Sequence, residues 1–344
     1  MEKVGIFSLK LRLCWSINWF RGFKIQRDPK PVRSAKMYRK AEILARIQLR
    51  QSTIKDWLSC PLMFRFRHVE KLKPAYKGTA AIHGSALHLA IHRLHELEFK
   101  CDVRNVYRAA LEEVMLQDPD IHVAWKKSRE EDMKGMEDHA FEILTGYAGW
   151  KENRICKLLY SEVQFKVKIG GYELTGTMDQ VRINSNDELD LVDLKSGMQR
   201  PRATSLHRDW QLSLYAYALK YGRLKINGSW VRVRLNVDRV VIYHLRAHER
   251  YKRNSKYGKA GDEKGRPFII CQKPVWDHQR FKQDLLNIIK MMTKDWPFPN
   301  PAACVFCAYQ GLCQDRTLLH ASPQIRRIKS DLTELGMLED EQKG

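Results

Sequence analysis

The chain has 344 residues, with 61 Lys+Arg against 40 Asp+Glu and a formal net charge of +21 at pH 7. Hydrophobic residues make up 44% and charged residues 29%, a globular composition that excludes a disordered or fibrous chain. No uninterrupted apolar run of about 18 residues occurs, which excludes a membrane-spanning helix, and the positive excess points to a polyanionic partner, nucleic acid ahead of an acidic membrane surface.

Residues 1–50 hold 13 Lys/Arg against 3 Asp/Glu and read as a basic arm, a transit peptide or an extension ahead of Met37. Lys10 and Arg12 interrupt the apolar stretches there and no small-residue cleavage site follows, so no secretory leader is expected. Pro29 and Pro31 mark a linker. From Gln51 to Glu70 the pattern predicts a helix capped by Ser52 or Thr53 and stopped at Pro61, then an aromatic and basic segment. Helical periodicity recurs over 82–99 through Ile82, Leu87, Ile91 and Leu94, and two more helices are expected near 102–117 and 129–150. The period then changes to two. Val163, Phe165, Val167 and Ile169 alternate with Gln164, Lys166 and Lys168 in a strand that ends at the Gly170-Gly171 turn. A second strand is expected at about 172–183 and a third from Leu189 to Lys195. A helix follows from about Arg208 to Tyr221, then strands near 229–235 and 239–246, and a last helix over 276–295 that stops before Pro297, Pro299 and Pro301. Helices, a meander, then mixed helix and strand predict an α/β fold with a mixed central β-sheet flanked by helices.

In the third strand, period two puts Asp193 and Lys195 on one face and Val192 and Leu194 on the other. Such a pair suits phosphodiester hydrolysis: a carboxylate can hold a hard divalent cation that activates water and polarises phosphate, while the lysine orients the nucleophile or offsets developing charge. Alone, an Asp-x-Lys pair also reads as a solvated ion pair at a strand end. Asp179 adds a carboxylate one strand earlier, where Gly176 lets the backbone approach closely. Glu162 enters the strand before that, His88 lies four residues after Gly84 on an earlier helix, and Gln211 and Tyr215 share a helix face at i, i+4.

In the order Gly84-x-x-x-His88, Glu162, Gly176-x-x-Asp179, Asp193-x-Lys195 and Gln211-x-x-x-Tyr215, these elements resemble the PD-(D/E)xK nuclease superfamily, and in particular its RecB-like exonuclease branch. The resemblance covers about residues 50–315 and implies a restriction-endonuclease-like core. It implies His88, Asp179 and Asp193 as ligands of Mg2+ or Mn2+, the Leu194 carbonyl in the inner shell, and Lys195 as the catalytic lysine. Glu162, Gln211 and Tyr215 are implied as supporting residues at the site or the DNA backbone. Some relatives carry an acid four residues after the histidine, where this chain has His92. His88, His92 and His95 also have the spacing of a zinc helix, but no His-Glu-x-x-His frame is present, and only His88 is kept as a ligand.

Cys304, Cys307 and Cys313 form a Cys-x2-Cys-x5-Cys run, three thiolates for one centre, and Cys60 is the candidate fourth. Eight cysteines are too sparse for a secreted disulfide scaffold and fit a reducing intracellular compartment: cytoplasm or nucleoid, or an organelle if the N-terminus is a transit segment. RecB-like relatives of the CRISPR-associated and AddB type hold a [4Fe-4S] cluster with one cysteine before the core and three after it, so the resemblance implies that cluster here, closing the core. Four thiolates suit Zn2+ as well.

Residues 246–266 hold eight Lys/Arg against three acids, with Tyr251 and Tyr257 among Arg250, Lys252, Arg253 and Lys256, a mixture that suits phosphates and unpaired bases or simply a solvated loop. Arg65, Arg67 and Lys71, beside Phe64 and Phe66, form a second basic patch. No Gly-x4-Gly-Lys-Ser/Thr loop occurs, so the chain is expected to act alone or to recruit a helicase or recombination partner. The expected organisation is a basic arm (1–50), a nuclease domain (51–320) with a helical insertion at about 100–155 and an iron-sulfur segment at 301–315, and a tail (321–344). The expected function is a metal-dependent deoxyribonuclease, an exonuclease acting on single-stranded or frayed DNA ends in recombination or repair. The alternatives are a non-catalytic DNA-binding subunit of a helicase or CRISPR adaptation complex, and a structure-specific endonuclease.

Overall fold

The computed structural model of the chain describes residues 39–74, 76–119, 121–198, 209–248, 268–272, 277–294, 298–310 and 313. Residues 1–38 of the basic arm, the tail from 321, and Arg250, Tyr251, Lys252, Arg253, Lys256 and Tyr257 lie outside the described residues.

Three short helices come first: α1 (Lys40–Arg46), α2 (Gln51–Ser59) and α3 (Pro61–Phe64), the last running into a π-helical turn over Arg65–Val69. Pro61 opens α3 rather than only closing α2, since a missing N–H is harmless in a first turn. The expected Ser52 or Thr53 cap is not formed. Arg50 takes the N-cap position of α2 without a side-chain cap, and the Thr53 hydroxyl donates to the Gln48 carbonyl instead.

Helices α4 (Thr79–Glu96), α5 (Val103–Leu116) and α6 (Arg129–Gly149) follow, with Asp102 and Ser128 capping the last two through their side chains, and α7 (Lys151–Ile155) is a single further turn. Strands β1 (Lys77–Gly78) and β2 (Val123–Ala124) pair in parallel outside the main sheet.

The main sheet joins β3 (Lys157–Ile169), β4 (Tyr172–Ile183), β5 (Leu189–Lys195), β6 (Arg223–Ile226), β7 (Ser229–Val231), β8 (Arg239–His244) and β9 (Phe268–Gln272) in the order β7-β6-β3-β4-β5-β8-β9. It is mixed: β5 and β8 run parallel and the other neighbours antiparallel. Helix α8 (Trp210–Tyr221) lies between β5 and β6 in the chain, and α9 (His278–Met292) follows β9. Two glycines make the β3–β4 turn: Gly170 and Gly171 sit at φ +57° and +86°, the left-handed pair that a two-residue hairpin requires.

Each sheet face carries its own apolar layer. Ile82, Leu87, Ile91 and Leu94 of α4 pack with Ile143 and Leu144 of α6 against Val192, Leu194, Val241 and Tyr243. On the other face α2, α8 and α9 pack against Phe165, Val167, Leu174 and Leu191. Each fully buried Leu or Ile contributes about 1.5–3 kcal/mol, so β5, buried on both faces, is held firmly. The architecture is the α/β arrangement expected, helices flanking a mixed sheet. Strands β6 and β9 join it beyond those expected, and β7 ends at Val231 rather than 235. Among the described residues, no helix is long and apolar enough to cross a membrane.

Candidate active site

The site forms where β3, β4 and β5 meet the middle of α4. Along β4, Met178 and Val181 both face the α8 layer although they stand three residues apart, while Gln180 reaches the opposite face and donates to the Tyr147 hydroxyl at 3.0 Å. The alternation therefore changes phase at Asp179. Glu162 lies at the matching point of β3, between Ser161, which pairs with Gln180, and Val163, which pairs with Met178, and its φ is +48°. Both strands break step at a carboxylate.

His88 on α4 reaches these two acids. Its Nδ1 lies 3.5 Å from Asp179 Oδ1 and 3.6 Å from Glu162 Oε1. Among the described residues, His88, Glu162 and Asp179 alone bring three such donor atoms within 4.8 Å of one another. Glu162 Oε1 is shielded from solvent and, apart from His88 at 3.6 Å, has no partner within hydrogen-bond distance among the described residues. Burial would lower the His88 pKa, but the Asp179 and Glu162 carboxylates outweigh it and raise it to about 10.

Asp193 belongs to a second, adjoining group. It is 1% exposed. Its Oδ2 is 2.6 Å from Lys195 Nζ, and its Oδ1 accepts from Gln211 Nε2 at 2.8 Å. Gln211 ties the group together, accepting from Lys195 at 3.3 Å and donating to the Tyr215 hydroxyl at 3.0 Å. Burial first and the Asp179 charge second push Asp193 up to about 7, although Lys195 and His88 pull it down. The Leu194 N–H donates to Asp179 Oδ2 at 2.6 Å, which locks β5 to the β4 carboxylate. In an extended strand the N–H and C=O of one residue point to the same side, so the Leu194 carbonyl faces the β4 side as well.

Two glycines make these approaches possible. A Cβ on Gly84 would stand 3.0 Å from Ser196 Oγ, just past Lys195, and one on Gly176 would stand 2.6 Å from the Phe165 ring. Phe165 lies across from Gly176 in the ladder and meets Tyr215 edge-on at 5.5 Å.

All seven residues expected at the catalytic centre thus lie in one connected group, with Asp179 and Glu162, rather than Asp193, paired with His88. His92 and His95 turn elsewhere: His92 Nε2 lies 3.4 Å from Glu96, and His95 Nε2 lies 2.8 Å from the Tyr147 hydroxyl. In the basic patch, Arg65 is 4% exposed and donates to Glu70 at 2.6 Å, while Arg67 pairs with Asp56 at 2.9 Å over the Tyr309 ring. Lys71 is exposed. Cys60, Cys304, Cys307 and Cys313 line one small cavity of about 20 Å³. Burial first, then the three neighbouring sulfurs, raise the Cys307 pKa. Main-chain and side-chain bonds join the same two ends of the fold: Leu62 N–H to the Phe298 carbonyl (3.2 Å), Asn300 Nδ2 to the Ser59 carbonyl (2.7 Å) and Tyr309 hydroxyl to the Leu72 carbonyl (3.0 Å).

A family model described as the PD-(D/E)XK nuclease superfamily matches residues 48–314. The chain belongs to that superfamily, whose members are nucleases that use divalent metal ions. No curated protein matches the chain. Among solved structures, one titled "Crystal structure of SSO0001" is similar at 13% identity and a TM-score of 0.30, covering 77% of this chain and 95% of that one. The residues present fit a divalent cation. Hard carboxylate oxygens and one imidazole converge, one carboxylate oxygen has no hydrogen-bond partner among the described residues, and the mutual repulsion of Asp179 and Asp193 is the kind a dication relieves.

Proposed function

We propose that the chain is a metal-dependent DNA exonuclease of the RecB-like type, acting on single-stranded or frayed ends in recombination or repair. The observation that carries the reading is the convergence of His88, Glu162, Asp179, Asp193, Lys195 and Gln211, drawn from α4, β3, β4, β5 and α8, on one spot. Asp179, His88 and Asp193, with the Leu194 carbonyl, would hold Mg2+ or Mn2+, with Glu162 beside His88. When bound, the ion polarises phosphate and makes water a better nucleophile. Lys195 keeps its ammonium between Asp193 and Gln211, where it can orient the attacking water or offset charge on the phosphoryl oxygens. Gln211, bonded to Asp193, Lys195 and Tyr215, fixes the geometry of that pair.

The four cysteines are proposed as ligands of a [4Fe-4S] cluster that clips the ends of the core together. Four thiolates suit tetrahedral Zn2+ as well, and the preference for the cluster rests on the resemblance to RecB-like relatives that split four cysteines around the core in this way. Metal and sulfide content of anaerobically purified protein, beside Cys60→Ser, decides between the two.

The test of the nuclease is cleavage of end-labelled single- and double-stranded DNA with Mg2+, Mn2+ or EDTA, beside Lys195→Ala. Metal-dependent degradation lost in the variant supports the reading, and the fate of the label gives polarity. Binding without cleavage under either metal would overturn it.

A further inference from the structure

A cavity of about 320 Å³ opens next to the catalytic group and shares Tyr215 with it. Trp230, Arg50, Gln48, Gln51 and Gln164 are among the residues that line it, and none of its described lining residues is acidic. Arg50 is exposed and has no carboxylate partner among the described residues. Lys166 Nζ stands over one face of the Trp230 ring, 4.4 Å from its centroid, so a second cation lies beside the cavity and the other face of the indole is left for a base. Trp230 is carried by the β6–β7 hairpin, paired with Lys225, and is therefore placed by sheet hydrogen bonds rather than by a loose loop.

A flat aromatic, amides that both donate and accept, and an unengaged guanidinium are the complements of a base face, a base edge and a phosphate. Carboxylates, which would repel the phosphate, are missing from the described lining. A base still stacked and paired in a duplex cannot present its face and edge to such a cavity. The geometry points to a subsite for one unpaired nucleotide of the substrate strand, its base on Trp230 and its phosphate at Arg50, next to the bond that is cut. This rests on the nuclease reading above and extends it to what the enzyme grips.

Fluorescence anisotropy tests it on the full chain, in EDTA so that the strand stays intact, with a labelled oligothymidylate about eight nucleotides long. Trp230→Ala should bind about 5- to 100-fold more weakly than the wild type, and Trp230→Phe should restore most of the affinity. A blunt hairpin duplex should bind all three proteins alike. Wild-type affinity of Trp230→Ala for the oligothymidylate would overturn the subsite, and so would an equal loss on the duplex. Cleavage plays no part in this readout, so the two readings fail separately. A chain that cuts no DNA with Mg2+ or Mn2+, yet loses strand binding on Trp230→Ala, keeps the subsite and gives up the nuclease.

Discussion

Glu162 holds a left-handed backbone, φ +48°, in the middle of a strand, a conformation that costs about 1–3 kcal/mol and persists only where its surroundings enforce it. What it achieves is position: the carboxylate leaves the alternation of β3 and stands beside His88. Glu162→Gln keeps the shape and removes the charge. It should weaken Mn2+ binding by about 10- to 100-fold in calorimetric titration, and unchanged affinity would take Glu162 out of the metal environment. Lys195 is the other decisive residue. Its removal leaves Asp193, 1% exposed, with the Gln211 amide as its one hydrogen-bond partner among the described residues. Lys195→Ala should therefore lower single-turnover cleavage by about 100-fold or more and also reduce the melting temperature. A variant that cuts at the wild-type rate would break the assignment. Lys195 and Asp193 are visible in the sequence because an Asp-x-Lys pair needs only period two. The place of Glu162 beside His88 is not, because a residue with positive φ is out of step with any periodic pattern.

At the level of elements, the β3–β4 hairpin carries the site and Phe165 braces it. Its ring occupies the space a Gly176 side chain would take and touches Tyr215, which bonds Gln211. Gly176→Ala should cost about 1–3 kcal/mol in urea melts through overpacking. Combining it with Phe165→Leu should cost less than the two effects added, since the second change frees the room the first demands. Strict additivity would mean that the backbone, not the ring, absorbs the methyl. Helices α4 and α5 and the second half of β3 are legible from apolar period alone, because each has a long buried face. Strand β6 is not, being four residues with Arg223 and Lys225 alternating outward. The signal that marks it is Asn227-Gly228, at φ +49° and +81°, the pair that a tight hairpin demands. The union of Cys60 with the C-terminal cysteines is beyond any local pattern. It follows only from the resemblance.

For the whole molecule, the layer of α4–α6 hides a cluster of polar rings. His95 and His248 are both depressed to about 4 by burial, His95 also by Arg182 and His92. Below the ordinary histidine value of 6.5, the unfolded chain takes up protons that the folded rings refuse. Their contribution is therefore complete above pH 6.5 and is lost as the pH falls toward 4, by about 2 kcal/mol for each ring between pH 7.5 and 5. Asp193, raised to about 7, acts in the opposite sense over part of that range, so the raw pH profile mixes the two. The difference between wild type and His95→Gln isolates the ring. The variant should lose less stability on acidification, and parallel profiles would show that His95 does not titrate on unfolding.

The bonds that join Ser59, Leu62 and Leu72 to Asn300, Phe298 and Tyr309 link segments made early and late in translation. The early segment cannot meet its partner until Tyr309 has left the ribosome, however soon the helices and the β3–β4 hairpin have formed. Closure of the core between these segments is therefore a late step of folding. Until then the thiol of Cys60 waits for its covering, and any cluster held by all four cysteines must be loaded after the chain has been made through Cys313.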